Sequence, residues 1–333
     1  MQSSTSQKKS LFGKVRMGYL VVESKKLAEW KRFASEGLGI HVDQPEVGVL
    51  TGRIDAHMRR LIVLDGPQED VVAIGWQLDD DDSLLEVLHR LKSRQIGHTE
   101  IKGPDAFRRG VTAFWRVTGP KGMSIELFTS AHVSDIPLNM KASGFVTGDG
   151  GMGHVAISTR RPQDMQSFWC DILDARLSDH IEERIDGVDL ELTFLRLNSR
   201  HHSVATAATR GIRLNPLRTQ IHHFNLQAAT LDDVIQGYLR CRRMGYDIAS
   251  GVGQHPNDRE ISFYVVSPSG FEVEIGWDPL LVDEARWVST THRGISLWGH
   301  RPENLTLSYR ARRLVQGVRS LMSKEYSPQE NQP

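Results

Sequence analysis

The sequence predicts an α+β chain made of two tandem modules, each a curved sheet with helices outside and a polar cavity inside. Three observations predict it. The order of elements in the first half recurs in the second. Four strands of the second half each set a small or polar face against an apolar one. Between the halves, residues 144–153 hold five glycines and no helical period, the pattern of a linker. A chain of 333 residues has room for a large core and for two such modules.

In the first half, apolar and β-branched runs predict strands at 16–22, 60–64 and 71–77, helical spacing predicts helices at 25–37 and 83–96, and a hairpin closes the half at 113–128. The second helix carries Leu84, Leu85, Leu88 and Leu91 on one stripe, which is a core face. The acidic run Asp79 to Asp82 reads as its N-terminal cap, favourable to the helix dipole. A calcium loop would need alternating ligands and a distal Glu at fixed spacing, and those are absent.

The second half repeats this order, with strands at 154–159, 191–198 and 222–227, helices at 162–172 and 231–244, and a hairpin at 261–277. Gly119-Pro120-Lys121-Gly122 before Glu126 echoes Ser267-Pro268-Ser269-Gly270 before Glu274. The expected division is a disordered tail at 1–14, a first module at 15–143, the linker, a second module at 154–285 and an Arg-rich tail at 286–333. Beyond Asp278 strand patterning is lost, and 306–323 predicts one basic amphipathic helix, read as a solvated or subunit-packing segment.

Lys plus Arg, 41, equals Asp plus Glu, 41, so no global charge favours nucleic acid or an anionic membrane. Cys170 and Cys241 are too far apart in sequence for a metal or redox pair and are expected as buried or partly buried free thiols in a reducing compartment. No apolar run reaches the length of a membrane span, and residues 1–10 lack the apolar centre of a secretory signal. The expected location is the cytoplasm.

Strand alternation locates the chemistry. His154 shares a face with Ala156 and Ser158, opposite Val155 and Ile157. His223 shares one with Asn225 and Gln227, opposite Phe224 and Leu226. Ser262 and Tyr264 oppose Phe263 and Val265, and Glu272 and Glu274 oppose Val273 and Ile275. Singly, a strand histidine is a hydrogen-bonded structural residue and a strand glutamate a solvated charge. Together they offer two imidazoles and a carboxylate to one cavity, a set that leaves positions open on an octahedral ion and suits an Fe(II) oxygenase. Alternation cannot choose between Glu272 and Glu274, which share a face.

The run Gly253-Gln254-His255, then Phe263-Tyr264, Ser267-Pro268-Ser269-Gly270 and Glu274, resembles the signature of type I extradiol ring-cleavage dioxygenases of the vicinal oxygen chelate superfamily, departing from it mildly at Ser267. The resemblance extends from about residue 16 to about 302. It includes Gly153-His154, Asn198-Ser199-Arg200-His201-His202, Ile221-His222-His223-Phe224 and Leu297-Trp298-Gly299-His300. It implies modules of paired βαβββ repeats, each a curved, mostly antiparallel sheet around a cavity. It also implies His154, His223 and Glu274 as ligands of Fe(II), with Mn(II) as the substitute metal. His202 becomes the acid/base residue, and His255 and Tyr264 hydrogen-bond the catecholate, with Asn257 and Asp258 in support. His201 and His222 then point away as structural residues. Ala156, two residues beyond His154 on the same face, is expected to border the substrate ring.

In the first module Gly18 and a residue near Ala73 stand at the places of the two ligand histidines, leaving only Glu126, so that module is expected to be metal-free. The implied activity is cleavage of a substituted catechol by O2 to a 2-hydroxy-6-oxo-dienoate. The subgroup it is most similar to favours a bicyclic or polycyclic ring, and the expected assembly is a homo-oligomer. Two rivals share the superfamily fold: a metal-free small-molecule binding module, which predicts loss of the triad, and a metal-dependent isomerase or transferase, which lacks the His–Tyr pair.

Overall fold

The computed structural model describes residues 9–185, 187–211, 221–303, 305–322 and 325. The first module runs β1 (Val15–Ser24), α1 (Leu27–Arg32, continued by a π-helical turn at Phe33–Leu38), β2 (His41–Glu46), β3 (Val49–Arg53) and β4 (Leu61–Asp65). It continues with β5 (Asp70–Leu78), α2 (Asp81–Ser93), β6 (His98–Lys102), α3 (Pro104–Arg109), β7 (Ala113–Thr118) and β8 (Ser124–Phe128). The second runs β9 (Val155–Ser158), α4 (Pro162–Leu173), β10 (Arg176–Ile185), β11 (Val188–Arg196), β12 (Val204–Thr209), β13 (Ile221–Gln227), α5 (Leu231–Arg243), β14 (Ile248–Gln254), β15 (Ile261–Val266) and β16 (Glu272–Trp277). Two elements follow, β17 (Thr291–Arg293) and α6 (Leu307–Met322).

Each sheet is two βαβββ repeats joined back to back. The orders are β2-β3-β4-β1-β5-β8-β7-β6 and β14-β15-β16-β13-β9-β12-β11-β10-β17. The repeat shows in the ladders: β1 with β4, β5 with β8, β9 with β12 and β13 with β16 are parallel, and the remaining pairs are antiparallel except β10 with β17. The fold is the mixed α+β arrangement that the sequence predicts.

The helices form where charge and capping suit them. Asp80 caps α2 by accepting from Ser83 N at 2.6 Å, as the acidic run implied. Thr230 caps α5 through Asp233 N. Both helices carry acidic residues in the first turn and basic residues in the last, matching the helix dipole.

One hydrophobic core runs through both modules. It holds Trp30, Phe33 and Trp76 from the first with Trp169, Phe224, Phe263 and Phe271 from the second. Trp76 meets Trp169 at 5.1 Å, Trp30 meets Phe271 at 5.6 Å, and the Trp30 indole N–H donates to Ser269 Oγ at 2.9 Å. Arg90 on α2 makes a bidentate pair with Asp174 at the end of α4. Val155, Ile157, Phe224, Val273 and Ile275 all lie in this core, so their alternate neighbours face the other side of the sheet. Cys241 is buried and Cys170 half-buried, both as free thiols.

Two expectations change. Residues 9–14 are packed rather than disordered: Leu11 is fully buried in the core, and Gly13 N donates to Leu197 O. Residues 1–8 of the expected tail, and 326–333 of the Arg-rich one, lie outside the described residues. The segment after 286 is not a free tail, because β17 pairs with β10, Trp298 bridges Gln254, and Glu303 bridges Ile248. The amphipathic helix is present as α6, held by Tyr309 Oη to Glu272 at 3.2 Å, with Leu314, Val315, Val318 and Met322 exposed. No helix among the described residues is long and apolar enough to cross a membrane.

Candidate metal centre

The two middle strands of the second sheet and their parallel partner bring the predicted triad together. Gly153 turns the chain into His154 with φ of 149°, and a Cβ there would lie 2.0 Å from Asn225 O, so only glycine admits the close approach of β9 to β13. Ala156 pairs with His223, and Asn225 with Glu274. His154, His223 and Glu274 thereby point into one cavity.

Their donor atoms converge. His154 Nε2 lies 3.3 Å from His223 Nε2 and 3.1 Å from Glu274 Oε2, and His223 Nε2 lies 3.5 Å from the same oxygen. Metal–nitrogen bonds of about 2.1 Å at right angles set neighbouring donors about 3 Å apart, so this spacing suits three ligands on one face of an ion. Glu274 is 1% exposed, and neither carboxylate oxygen has a hydrogen-bond partner among the described residues. A carboxylate so enclosed costs several kcal/mol unless a cation answers it, on the order of the penalty for any buried unpaired charge. Burial, with the charges of neighbouring histidines, holds His223 well below the usual imidazole range and therefore neutral, as a ligand must be. Burial would raise the pKa of Glu274, but the imidazoles of His154 and His255 outweigh it and hold the carboxyl well below its usual range. The residues fit a divalent ion of the iron or manganese kind.

A second layer surrounds the triad. His255 Nδ1 donates to Ile295 O at 2.7 Å, and its Nε2 lies 2.7 Å from Tyr264 Oη and 3.4 Å from Glu274 Oε1. Burial opposes charge on His255, but Glu274, Asp258 and the Ile295 carbonyl outweigh it and raise the pKa to about 9. Burial, with the Glu274 charge, raises Tyr264 well above the usual phenol range and keeps it a hydrogen-bond donor. His202 packs its ring 3.9 Å from His154 and 4.9 Å from Phe194, and burial beside other histidines holds it well below the usual range.

Of the remaining predicted residues, Asp258 and Ala156 are also brought here. Asn257 is buried, and its Nδ2 has no hydrogen-bond partner among the described residues. Asp258 accepts from Glu260 N and sets Oδ2 3.8 Å from His202 Nδ1. Ala156 joins Ile181, Phe194 and Ala205 in an apolar cluster on the cavity side of the sheet. The pair partners behave as structural residues: His201 is fully buried against Asp179, and the His222 side chain is substantially exposed.

Sequence reasoning missed four contributors. His300 stacks 4.3 Å from His255 and shares Ser262 with it, and burial beside His255 lowers its pKa to about 4. Ser262 shares the strand face of Tyr264, and His300 belongs to a quoted motif, so both left a signal. The Ile295 carbonyl and Asp179 left none, since distant chain delivers them.

The first module carries the same frame with a different filling. Register places Tyr19, not Gly18, at the position of His154: Tyr19 pairs with Gly75 as His154 lies across from Asn225, and Val21 pairs with Ala73 as Ala156 pairs with His223. Met17-Gly18-Tyr19 matches Met152-Gly153-His154 in sequence as well, so Gly18 is the counterpart of Gly153. Ala73 stands for His223, Arg116 for Tyr264 and Glu126 for Glu274. Glu126 is fully buried, accepts from Tyr19 Oη at 2.8 Å and takes two bonds of 3.0 Å from Arg109. Its charge is answered by protein, and one carboxylate without imidazoles does not fit a metal.

Comparison with known proteins agrees with this geometry. A family model described as the glyoxalase/bleomycin resistance protein/dioxygenase superfamily matches residues 151–275, and one described as dihydroxybiphenyl dioxygenase BphC D1 matches 17–66. Biphenyl-2,3-diol 1,2-dioxygenase of Metapseudomonas furukawaii is 34% identical over 86% of this chain and 93% of its own. The 3-methylcatechol 2,3-dioxygenase of Pseudomonas putida is 34% identical over 86% and 97%. An iron-dependent extradiol dioxygenase of Rhodococcus jostii is 27% identical over 85% and 96%. The crystal structure of BphC, a halotolerant catechol dioxygenase, superposes with a TM-score of 0.79 at 29% identity, over 86% of this chain and 94% of that one.

Proposed function

The chain belongs to the extradiol ring-cleavage dioxygenases of the vicinal oxygen chelate superfamily, and on that premise we propose that it cleaves a bicyclic or polycyclic catechol with dioxygen to a 2-hydroxy-6-oxo-dienoate. The observation that carries the reading is the buried Glu274 carboxylate set 3.1–3.5 Å from two imidazoles whose nitrogens also converge on each other.

In this reading His154, His223 and Glu274 hold one divalent iron in the second module. When bound there, the iron supplies a Lewis acid that acidifies a catechol hydroxyl and the one-electron chemistry that lets dioxygen react with an aromatic ring. His255 and Tyr264 donate hydrogen bonds to the catecholate oxygens and fix the ring relative to the triad. His255 Nδ1 donates to the Ile295 carbonyl and its Nε2 lies 2.7 Å from Tyr264 Oη, so the two side chains are held as one hydrogen-bonding pair. His202 is neutral, and its ring lies against His154, so it can take a proton from one oxygen and return it to another. Asp258 lies beside His202, its Oδ2 3.8 Å from Nδ1.

Ala156, Phe194, Ala205 and Ile181 form the apolar wall against which the distal ring of the substrate lies. Relatives named for biphenyl-2,3-diol support a ring of that size. A metal-free binding role would give no purpose to the convergence of His154 Nε2, His223 Nε2 and Glu274 Oε2 within 3.5 Å of one another. Anaerobic purification with metal analysis, and a screen of catechol, 3-methylcatechol and 2,3-dihydroxybiphenyl for a yellow ring-opened product, tests the reading. One iron per chain with turnover of the biaryl substrate is the expected result. A chain that retains no divalent metal, or opens none of the three rings, overturns it.

A further inference from the structure

A buried chain of hydrogen bonds leads away from the centre. Asp179, on β10 and 1% exposed, accepts at Oδ1 from Thr290 N at 2.7 Å and from Thr290 Oγ1 at 3.1 Å. Its other oxygen, Oδ2, lies 2.9 Å from His201 Nε2. His201, 0% exposed, sets Nδ1 3.2 Å from His202 Nδ1. Among the described residues, no hydrogen bond engages His202 Nε2.

We propose that Asp179 and His201 are positioning residues that fix the tautomer of His202, holding its proton on Nδ1 and leaving a lone pair on Nε2. The argument is donor and acceptor bookkeeping. A carboxylate only accepts, so Asp179 Oδ2 takes the proton of His201 Nε2–H. Thr290, a double donor, fixes Oδ1 and with it the carboxylate plane. His201 Nδ1 then carries a lone pair, and a neutral His202 can approach it at 3.2 Å only by donating Nδ1–H. The free lone pair falls on Nε2, the form that accepts a proton. Asp258 Oδ2, at 3.8 Å, is too far to accept this proton in place of His201. Burial opposes ionisation of Asp179, but bonds from His201 and Thr290 outweigh it and hold its carboxyl below the usual range, so the acceptor-only form is the one present.

The proposal rests on the acid/base role of His202, and the test separates the two. Asp179→Asn is nearly isosteric. Thr290 keeps the amide oxygen at the Oδ1 place, so Nδ2 faces His201 Nε2 and donates to it. His201 then carries its proton on Nδ1 and His202 on Nε2, and the tautomer inverts. An Asp→Asn change of this kind at a buried Asp–His pair of a serine protease costs about 10⁴ in kcat.

The tautomers are read by ¹⁵N NMR of the full chain loaded with Zn(II), a reading independent of turnover, and kcat and KM are measured on the iron-loaded chain. The expected result is Nδ1–H on His202 in the unaltered chain, Nε2–H in Asp179→Asn, and a kcat lower by about 10²-fold with KM within about threefold and metal content unchanged. Nε2–H on His202 in the unaltered chain, or an unchanged tautomer in Asp179→Asn, overturns the proposal. Inversion with unchanged kcat also overturns it as a catalytic device, and shows in addition that the lone pair assigned to His202 is not used. Should Asp179→Asn fail to fold, His201→Asn, which keeps an acceptor near the Nδ1 place, is expected to retain turnover within about tenfold. His201→Phe, which has none, is expected to lose about 10²-fold. Equal losses in the two overturn the proposal.

Discussion

The two modules set the same buried carboxylate into the same strand position and answer its charge in opposite ways. Glu126 receives Tyr19 and both nitrogens of an Arg109 fork, so its environment is complete without any ion. Among the described residues Glu274 receives no such donors and instead faces the nitrogens of His154, His223 and His255 at 3.1–3.5 Å. The sheet therefore does not make a metal site. A tyrosine or a histidine at one register position, with an arginine or an imidazole near it, decides whether the carboxylate closes a structural ion pair or stands in a group of donors that could hold a metal ion.

The largest expected effect breaks the comparison outright if it is wrong. Glu274→Ala, His154→Ala or His223→Ala is expected to abolish metal retention and ring cleavage, whereas Glu126→Ala is expected to leave metal content at one ion per chain. Metal analysis and product formation check both, and two metals per unaltered chain would falsify the division of labour.

Glu126→Ala is instead expected to act on stability. It strands the Arg109 guanidinium in a buried site, a loss of about 3–5 kcal/mol in urea unfolding. A double change, Glu126→Ala with Arg109→Met, is expected to recover part of that loss, because the pair is removed together. Next in size, His202→Ala is expected to keep the metal and catechol binding while turnover falls by roughly 10²–10⁴. Near-normal turnover at saturating oxygen would remove His202 from the chemistry. Tyr264→Phe is expected to slow the reaction less, since His255 still donates beside it.

The smallest effect concerns the wall of the cavity. Ala156→Leu is expected to lower kcat/KM for 2,3-dihydroxybiphenyl by about tenfold more than for catechol, or ~1.4 kcal/mol of transition-state binding. Competing steady-state assays on the two substrates measure it. Equal losses would place the distal ring elsewhere than against Ala156, Phe194 and Ala205.

Much of this was legible in the sequence, and what was not has physical causes. Strands with one apolar face, β5, β9, β13, β15 and β16, announced themselves by alternation. Several of the missed strands are edges or lack a contrast between their faces. β2 holds Asp43, Gln44, Pro45 and Glu46 and β6 is largely exposed, both features by which edges avoid pairing, while β10 mixes charged and apolar residues without a period of two. β12, Val-Ala-Thr-Ala-Ala-Thr, has small residues on both faces and shows no contrast. The triad was readable because each member lies on a strand whose other face enters the core. Tyr19 could have been read by matching Met17-Gly18-Tyr19 to Met152-Gly153-His154, but a phenol beside a glycine does not announce itself as the counterpart of a ligand histidine. Asp179 and the Ile295 carbonyl reach the site only through pairing across more than twenty residues of intervening chain.

The shared core has a consequence for how the chain comes into being. Trp30, Phe33 and Trp76 are fully buried, but much of what covers them is Trp169, Tyr246 and Phe271 from the other module. During synthesis the first module leaves the ribosome before these partners exist, with its aromatic face open to water and to other nascent chains. Domains that emerge first generally fold first, but this one can bury that face only when the second module arrives, so its newborn half is the stage at which the protein is most prone to aggregate.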